Sequence, residues 1–267
     1  MDEPKYLYKY RYFDKDGYHL NVIKDLELYF SSPKDLNDPF DCKISERFDL
    51  MSEGEWRDFL YHKVKRENVD LHPNRLQKLI TNLEKDIPFI KYDSFYEGME
   101  DHTNSSLGIC SFSLNKNQNV LWSLYSDIHK GFLIEFKFEE LKKTLQFEML
   151  KSLGSDNQVG ILDEIVKYHD NFPVIKPGLS YHDEPEKHYV NLFSIKSSEW
   201  IHEDEYRFFS LLKNSCGIPI TSDCIHKVIA GLNITEENYN DLNEACREQN
   251  IKLVHAEKEQ FSFKTKY

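Results

Sequence analysis

Trp200-Ile201-His202-Glu203-Asp204-Glu205-Tyr206-Arg207-Phe208-Phe209 alternates charged and aromatic side chains over its second half. Such alternation reads as a strand with two chemically different faces, and it puts Glu203, Glu205 and Arg207 on one of them. Two carboxylates at this spacing repel, which raises the proton affinity of at least one unless a cation sits nearby. The segment is costly as pure structure and therefore suggests chemistry. Arg207 also offers the plainer reading of an edge salt-bridge cluster.

Outward from this segment, strands are expected near 164–168 and 204–212, flanking a helix at about 185–198. Further strands are expected at 6–13, 26–32, 107–113, 131–138, 226–232, 251–257 and 261–265. Helices are expected at about 19–26, 119–127, 139–151 and 236–249. Ser52-Glu53-Gly54-Glu55 has the form of a capping box and opens a helix through about Arg66, and Pro73 suits the first turn of another to about Lys85. Strands and helices interleave without the strict rhythm of a doubly wound sheet. The expected fold is α+β, a single domain over 1–267 with a mixed or antiparallel sheet core, peripheral helices and a helical insertion at about 52–104.

Bulk properties narrow the classes. The 267 residues carry a formal net charge of −12, a surface that repels polyanions unless basic residues are segregated. One tract, 61–91, is locally basic (Lys63, Lys65, Arg66, Arg75, Lys78, Lys85, Lys91) and reads first as solvated helical faces. Five scattered cysteines without a Cys-x-x-Cys pair read as reduced thiols in the core. The opening residues lack a signal-peptide apolar core and no stretch has the length of a membrane span, so a cytoplasmic, membrane-free protein is expected. Phosphate-loop, dinucleotide Gly-x-Gly-x-x-Gly, Gly-x-Ser-x-Gly and His-Glu-x-x-His motifs are all missing from the sequence.

Two other constellations could carry chemistry. Arg11 lies within Tyr10-Arg11-Tyr12-Phe13, where its planar fork would either meet solvent or hold an anion. Tyr29-Phe30-Ser31-Ser32-Pro33 runs into Asn37-Asp38-Pro39-Phe40-Asp41-Cys42, a polar loop that can orient a ligand or simply bond its own backbone. Asp38 and Asp41 with Glu203 and Glu205 would also suit a magnesium-dependent nuclease. The same loops would equally serve a non-catalytic sensor or interaction module.

Together these segments resemble domain-of-unknown-function family 2971, widespread in bacteria beside toxin and phage-defence genes. The resemblance rests on Leu7-Tyr8-Lys9-Tyr10-Arg11, the two loop segments just quoted and Cys110-Ser111-Phe112-Ser113. It continues through Leu121-Trp122 with Tyr125, His129-Lys130-Gly131-Phe132, Lys196, Trp200 and Glu203-Asp204-Glu205-Tyr206-Arg207. The layout also resembles the ADP-ribosyltransferase superfamily, with an Arg on the first strand, a Tyr or Ser on a later strand and a late Glu-x-Glu. That resemblance implies NAD as co-substrate, no metal, and ADP-ribosyl transfer by an intracellular toxin or defence effector. The acceptor would be a base of RNA or DNA before a protein side chain, with an antitoxin or chaperone as a further partner. Glu205 would stabilise the oxocarbenium-like ribose and Glu203 would activate the acceptor. Arg11 would clamp the diphosphate, and Ser31 or Ser111 would hold the carboxamide or support Glu205. Tyr29, Trp122 or Tyr125 would stack on nicotinamide.

Overall fold

In chain order the strands are β1 (Tyr6–Arg11), β2 (Glu27–Phe30), β3 (Gly108–Ser113), β4 (Phe132–Lys137), β5 (Ile161–Ile165), β6 (Lys167–His169), β7 (Ile195–Ser197), β8 (Glu205–Ser210), β9 (Cys216–Pro219), β10 (Ile225–Ala230) and β11 (Leu253–His255). They belong to a computed structural model that describes residues 3–44, 46–67, 72–86, 101–153, 160–176, 184–211, 214–262 and 265–267. Seven strands form the main sheet in the order β11-β10-β4-β1-β3-β8-β5. All neighbours are antiparallel except the parallel pair β10 and β11, so the architecture is α+β around a mixed sheet.

Alternation along the strands builds two unlike faces. Leu7, Phe112, Phe136, Phe208 and Val228 point to one side, where helices Tyr18–Lys24, Phe138–Leu153 and Glu236–Glu248 cover them. Each fully buried Phe of this layer contributes about 1.5–3 kcal/mol by leaving water. The opposite face carries two separate clusters. Tyr8, Tyr10, Leu133 and Ile229 pack on Trp122, whereas Ile109 and Phe209 pack on Val190 and Phe193.

The division between those clusters follows a split in the sheet. β1 pairs with β4 along all six residues, and β3 pairs with β8 along all six. Between β1 and β3 the register has one pair, Tyr8 opposite Ser113. A continued ladder would oppose Tyr10 to Ser111. Instead the Ser111 carbonyl accepts from the Lys9 ammonium at 2.7 Å, and farther along Ile109 exchanges both backbone hydrogen bonds with Ser31. The strands open where a side chain replaces the backbone partner.

The end of β1 is held by a close approach. A Cβ on Gly131 would stand 2.0 Å from the Arg11 carbonyl oxygen and 2.8 Å from the Tyr12 Cα. The preceding Asp127, Ile128 and His129 all have positive φ, an unfavourable run for L-residues and worst for the β-branched Ile128. Gly131→Ala is expected to cost about 1–3 kcal/mol by overpacking, read as a lowered urea midpoint. An unchanged midpoint would show that β1 yields freely at Arg11.

Several sequence expectations change. The helix expected at 185–198 is Pro185–Phe193, because Ile195-Lys196-Ser197 leaves the helix to pair in parallel with β6. The strand expected at 164–168 is broken between β5 and β6. Glu203 is not on the strand: it ends a 3-10 turn, Ser198–Glu203, and Asp204 at φ 45° turns the chain into β8. The capping box forms, with Ser52 N–H donating to Glu55 at 2.7 Å and Glu55 N–H to the Ser52 hydroxyl at 3.3 Å. Helices Glu53–Glu67 and Pro73–Leu83 share their own apolar cluster around Trp56. Residues 87–100 of the expected insertion, including Lys91 of the basic tract, and 263–264 of the last expected strand lie outside the described residues. No described helix is long and apolar enough to cross a membrane. All five cysteines are free, and Cys42, Cys110, Cys224 and Cys246 are buried.

Candidate functional site

A cavity of about 280 Å³ occupies the split between β1 and β3. Arg11, Tyr29, Ser31, Ser111, Tyr125, Glu203 and Glu205 all line it, so seven of the eight side chains singled out in the sequence meet at one place. They arrive from β1, from the end of β2, from β3, from the helix Asn119–Leu124 and its C-cap, and from the turn into β8. Chain separations of up to 194 positions close here because β1, β3 and β8 are neighbours in the sheet.

Trp122 is the exception. It is fully buried, stacks on His129 with ring centroids 5.2 Å apart, and meets Tyr10 edge-on. A ring with both neighbours in place has no face to offer a ligand, so the expected stacking role is corrected to a packing one. Tyr29, by contrast, is 49% exposed at the rim.

The floor is a buried ion network. Arg207, with no exposed surface, donates to both oxygens of Asp41 (2.8 and 2.7 Å), both of Glu205 (2.7 and 2.8 Å) and the Phe193 carbonyl. Lys196 lies 2.5 Å from Glu203, and 3.2 Å from each of Glu205 and Asp41. Three carboxylates thus face two cations, a formal excess of one negative charge. The repulsion expected between Glu203 and Glu205 is relieved by Lys196. Burial pushes the Glu205 carboxyl up, but Arg207 and Lys196 outweigh it, the Ser111 hydroxyl adds a hydrogen bond, and the result is a pKa of about 2. Burial opposes the Lys196 charge, and Glu205 and Asp41 override it, holding its pKa above the ordinary lysine value.

Smaller contacts set the walls. Tyr125 donates its hydroxyl to Glu203 and accepts from the Asn37 amide at 2.9 Å; burial and Glu203 push that phenol above its ordinary range. The Glu205 backbone N–H donates to Tyr168 at 2.9 Å, which anchors the start of β8. Asp38 accepts from the Phe40 backbone at 2.9 Å, the local turn bond expected of a capped loop. Ser111 therefore supports Glu205 directly, whereas Ser31 stands on the wall where β2 meets β3.

Arg11 faces the cavity with no carboxylate within 4 Å among the described residues. Its Nε is buried without a hydrogen-bond partner, and its one near acceptor is the Tyr10 carbonyl at 3.4 Å. Sequence reasoning missed Lys9, Lys196 and Tyr168 as parts of the site. Lys9 had a signal, since it shares strand parity with Arg11, and Lys196 had one as an element of the family resemblance; Tyr168 had none.

A second cavity, about 270 Å³, shares Asp41 and Lys196 with the first. Phe40 (73% exposed), Phe172 (58%) and Trp200 stand on it. Among the described residues no three His, Cys, Asp or Glu side chains are grouped to hold a metal ion, and Lys196 and Arg207 occupy the focus of Asp41, Glu203 and Glu205.

No curated protein and no solved structure matches the chain. Residues 121–208, the stretch from the helix carrying Tyr125 through Lys196, Glu203, Glu205 and Arg207, match the family model described as "Protein of unknown function (DUF2971)".

Proposed function

We propose that the cavity between β1 and β3 binds NAD and transfers its ADP-ribosyl group. The observation that carries the reading is the convergence of Arg11 on β1, Ser111 on β3 and Glu205 on β8 around one cavity. The electrostatics suit a dipolar ligand. An unpaired guanidinium at one wall would meet the anionic part of the ligand, and an ionised carboxylate at the other would meet developing positive charge. Glu205, held ionised at pH 7, would stabilise the oxocarbenium-like ribose as nicotinamide departs. Glu203 would orient the attacking group, its hydroxyl partner Tyr125 and ammonium partner Lys196 fixing the carboxylate. The second cavity would take the acceptor, for which we favour a nucleic-acid base, because Phe40, Phe172 and Trp200 offer stacking surface. No described residue of the basic tract lines either cavity, so the described part of that tract adds no support.

One observation favours a second reading, a dinucleotide-binding module without turnover: both Glu205 oxygens are already bonded to cations. The protein incubated with labelled NAD and cell lysate separates the two. Nicotinamide release with label removed by RNase or DNase supports transfer to nucleic acid, and label removed by protease alone overturns the acceptor. NAD binding without nicotinamide release leaves the binding module.

Arg11→Lys keeps charge but replaces a two-pronged donor by a point donor. NAD affinity is expected to drop about tenfold, on the order of 1.4 kcal/mol. Calorimetry giving equal affinities for the two proteins would place Arg11 outside the site.

A further inference from the structure

We infer that Lys9 and Arg11 together form an anion site in the split between β1 and β3, and that its ligand is the diphosphate of the dinucleotide. This rests on the dinucleotide reading above and adds a residue to it. Lys9 is 7% exposed and lines the same cavity as Arg11. Its partners are the Ser111 carbonyl at 2.7 Å, the Cys110 sulfur at 3.5 Å and the face of the Phe112 ring at 4.7 Å. No carboxylate of a described residue lies within 4 Å of Lys9 or of Arg11.

Placing one buried and one half-buried cation side by side, neither with a carboxylate partner within 4 Å among the described residues, is a cost that the folded chain bears for some return. Elsewhere in the cavity the chain does not bear it, since Lys196 and Arg207 are surrounded by Asp41, Glu203 and Glu205. Lys9 and Arg11 are two positions apart on a strand, so both project to the same side of β1, and Arg11 acts on Lys9 as a repelling neighbour. Two adjacent like charges, one with a buried N–H lacking an acceptor, are completed by a ligand carrying two adjacent negative charges and many acceptor oxygens. A diphosphate meets that description.

Burial lowers the Lys9 pKa to about 8; Cys110 and Glu205 act against that fall, and Arg11 adds to it. The anion binds the protonated ammonium, so affinity is expected to fall as pH rises through about 8.

The test uses ADP-ribose, which carries the diphosphate but has no nicotinamide to lose, with adenosine as the probe lacking phosphate. Lys9→Met is expected to weaken ADP-ribose about tenfold to a hundredfold, the span of a charged hydrogen bond, and to leave adenosine unchanged. Lys9→Arg is expected to retain ADP-ribose binding and to lose the pH dependence near 8. A circular-dichroism melt of each variant checks folding, and Lys9→Arg carries the test if Lys9→Met unfolds. Equal ADP-ribose affinity in folded Lys9→Met, or a pH profile unchanged in Lys9→Arg, overturns the anion site. So does wild-type protein that fails to bind ADP-ribose. ADP-ribose binding that depends on Lys9, with no nicotinamide released from NAD, upholds the anion site and rejects the transferase.

Discussion

Nicotinamide release from NAD is expected to fall about a hundredfold or more in Glu205→Gln, because the substitution removes the fixed charge facing the ribose and changes little volume. Preorganised electrostatic stabilisation of this kind is worth roughly 3–4 kcal/mol in a water-poor site. The structure adds a second consequence. Glu205 accepts from Arg207 at 2.7 and 2.8 Å and from Lys196 at 3.2 Å, all in the interior. A glutamine amide would turn an N–H group toward those donors, so stability should fall as well. Activity is therefore to be compared with a urea curve of the same variant, at a temperature where both proteins are folded. A folded Glu205→Gln protein releasing nicotinamide at near the wild-type rate would sink the catalytic assignment. Glu203→Gln, which disturbs Tyr125 and Lys196 but not Arg207, is the companion that tests acceptor activation.

Arg207→Met is expected to lose about 3–5 kcal/mol of stability, the cost of leaving buried charges without their partner. The side chain has no exposed surface, and its loss would leave one oxygen of Asp41 and one of Glu205 without a cation and take a donor from the Phe193 carbonyl. Lys196 alone cannot neutralise three carboxylates. Asp41→Asn combined with Arg207→Met should recover part of the loss, since both ends of the bidentate pair are then uncharged. Urea denaturation of the single and double variants measures this, and a single-variant loss under about 1 kcal/mol would show that water reaches the network. The pH dependence has a definite sign. Glu205 has a folded pKa of about 2 against an ordinary 4.5, so its contribution is complete above 4.5 and lost as pH falls toward 2. Without Arg207 the carboxyl should titrate at higher pH, and acid unfolding should begin correspondingly earlier.

Much of the fold was legible because period-two alternation and capping are local. Gly108–Ser113, Phe132–Lys137 and Glu205–Ser210 carry their two faces in the order of their residues, and Ser52 with Glu55 marks a helix start wherever that helix packs. Arg11 and Glu205 could be singled out for a similar reason, since charged residues in otherwise aromatic strands are costly unless something holds them, whereas Ser111 came only from the resemblance. Local reading failed where a distant strand competed for the chain. Residues 195–197 continue a helical pattern in sequence, but the ladder to Lys167–His169 takes them, and Glu203 is turned off the strand by Asp204.

What the sequence by itself determined is most strands of the main sheet, the α+β class and the chemical types available to a site, but not β7 or β9. Only the tertiary structure decided that β1 and β3 part after Tyr8 and Ser113, that Trp122 is packing and not platform, and which cations have partners. The physical reason is range. Alternation and caps act over a few residues, whereas Arg207 finds Asp41 across 166 positions and Lys9 meets Ser111 across 102, distances along the chain that no local pattern records.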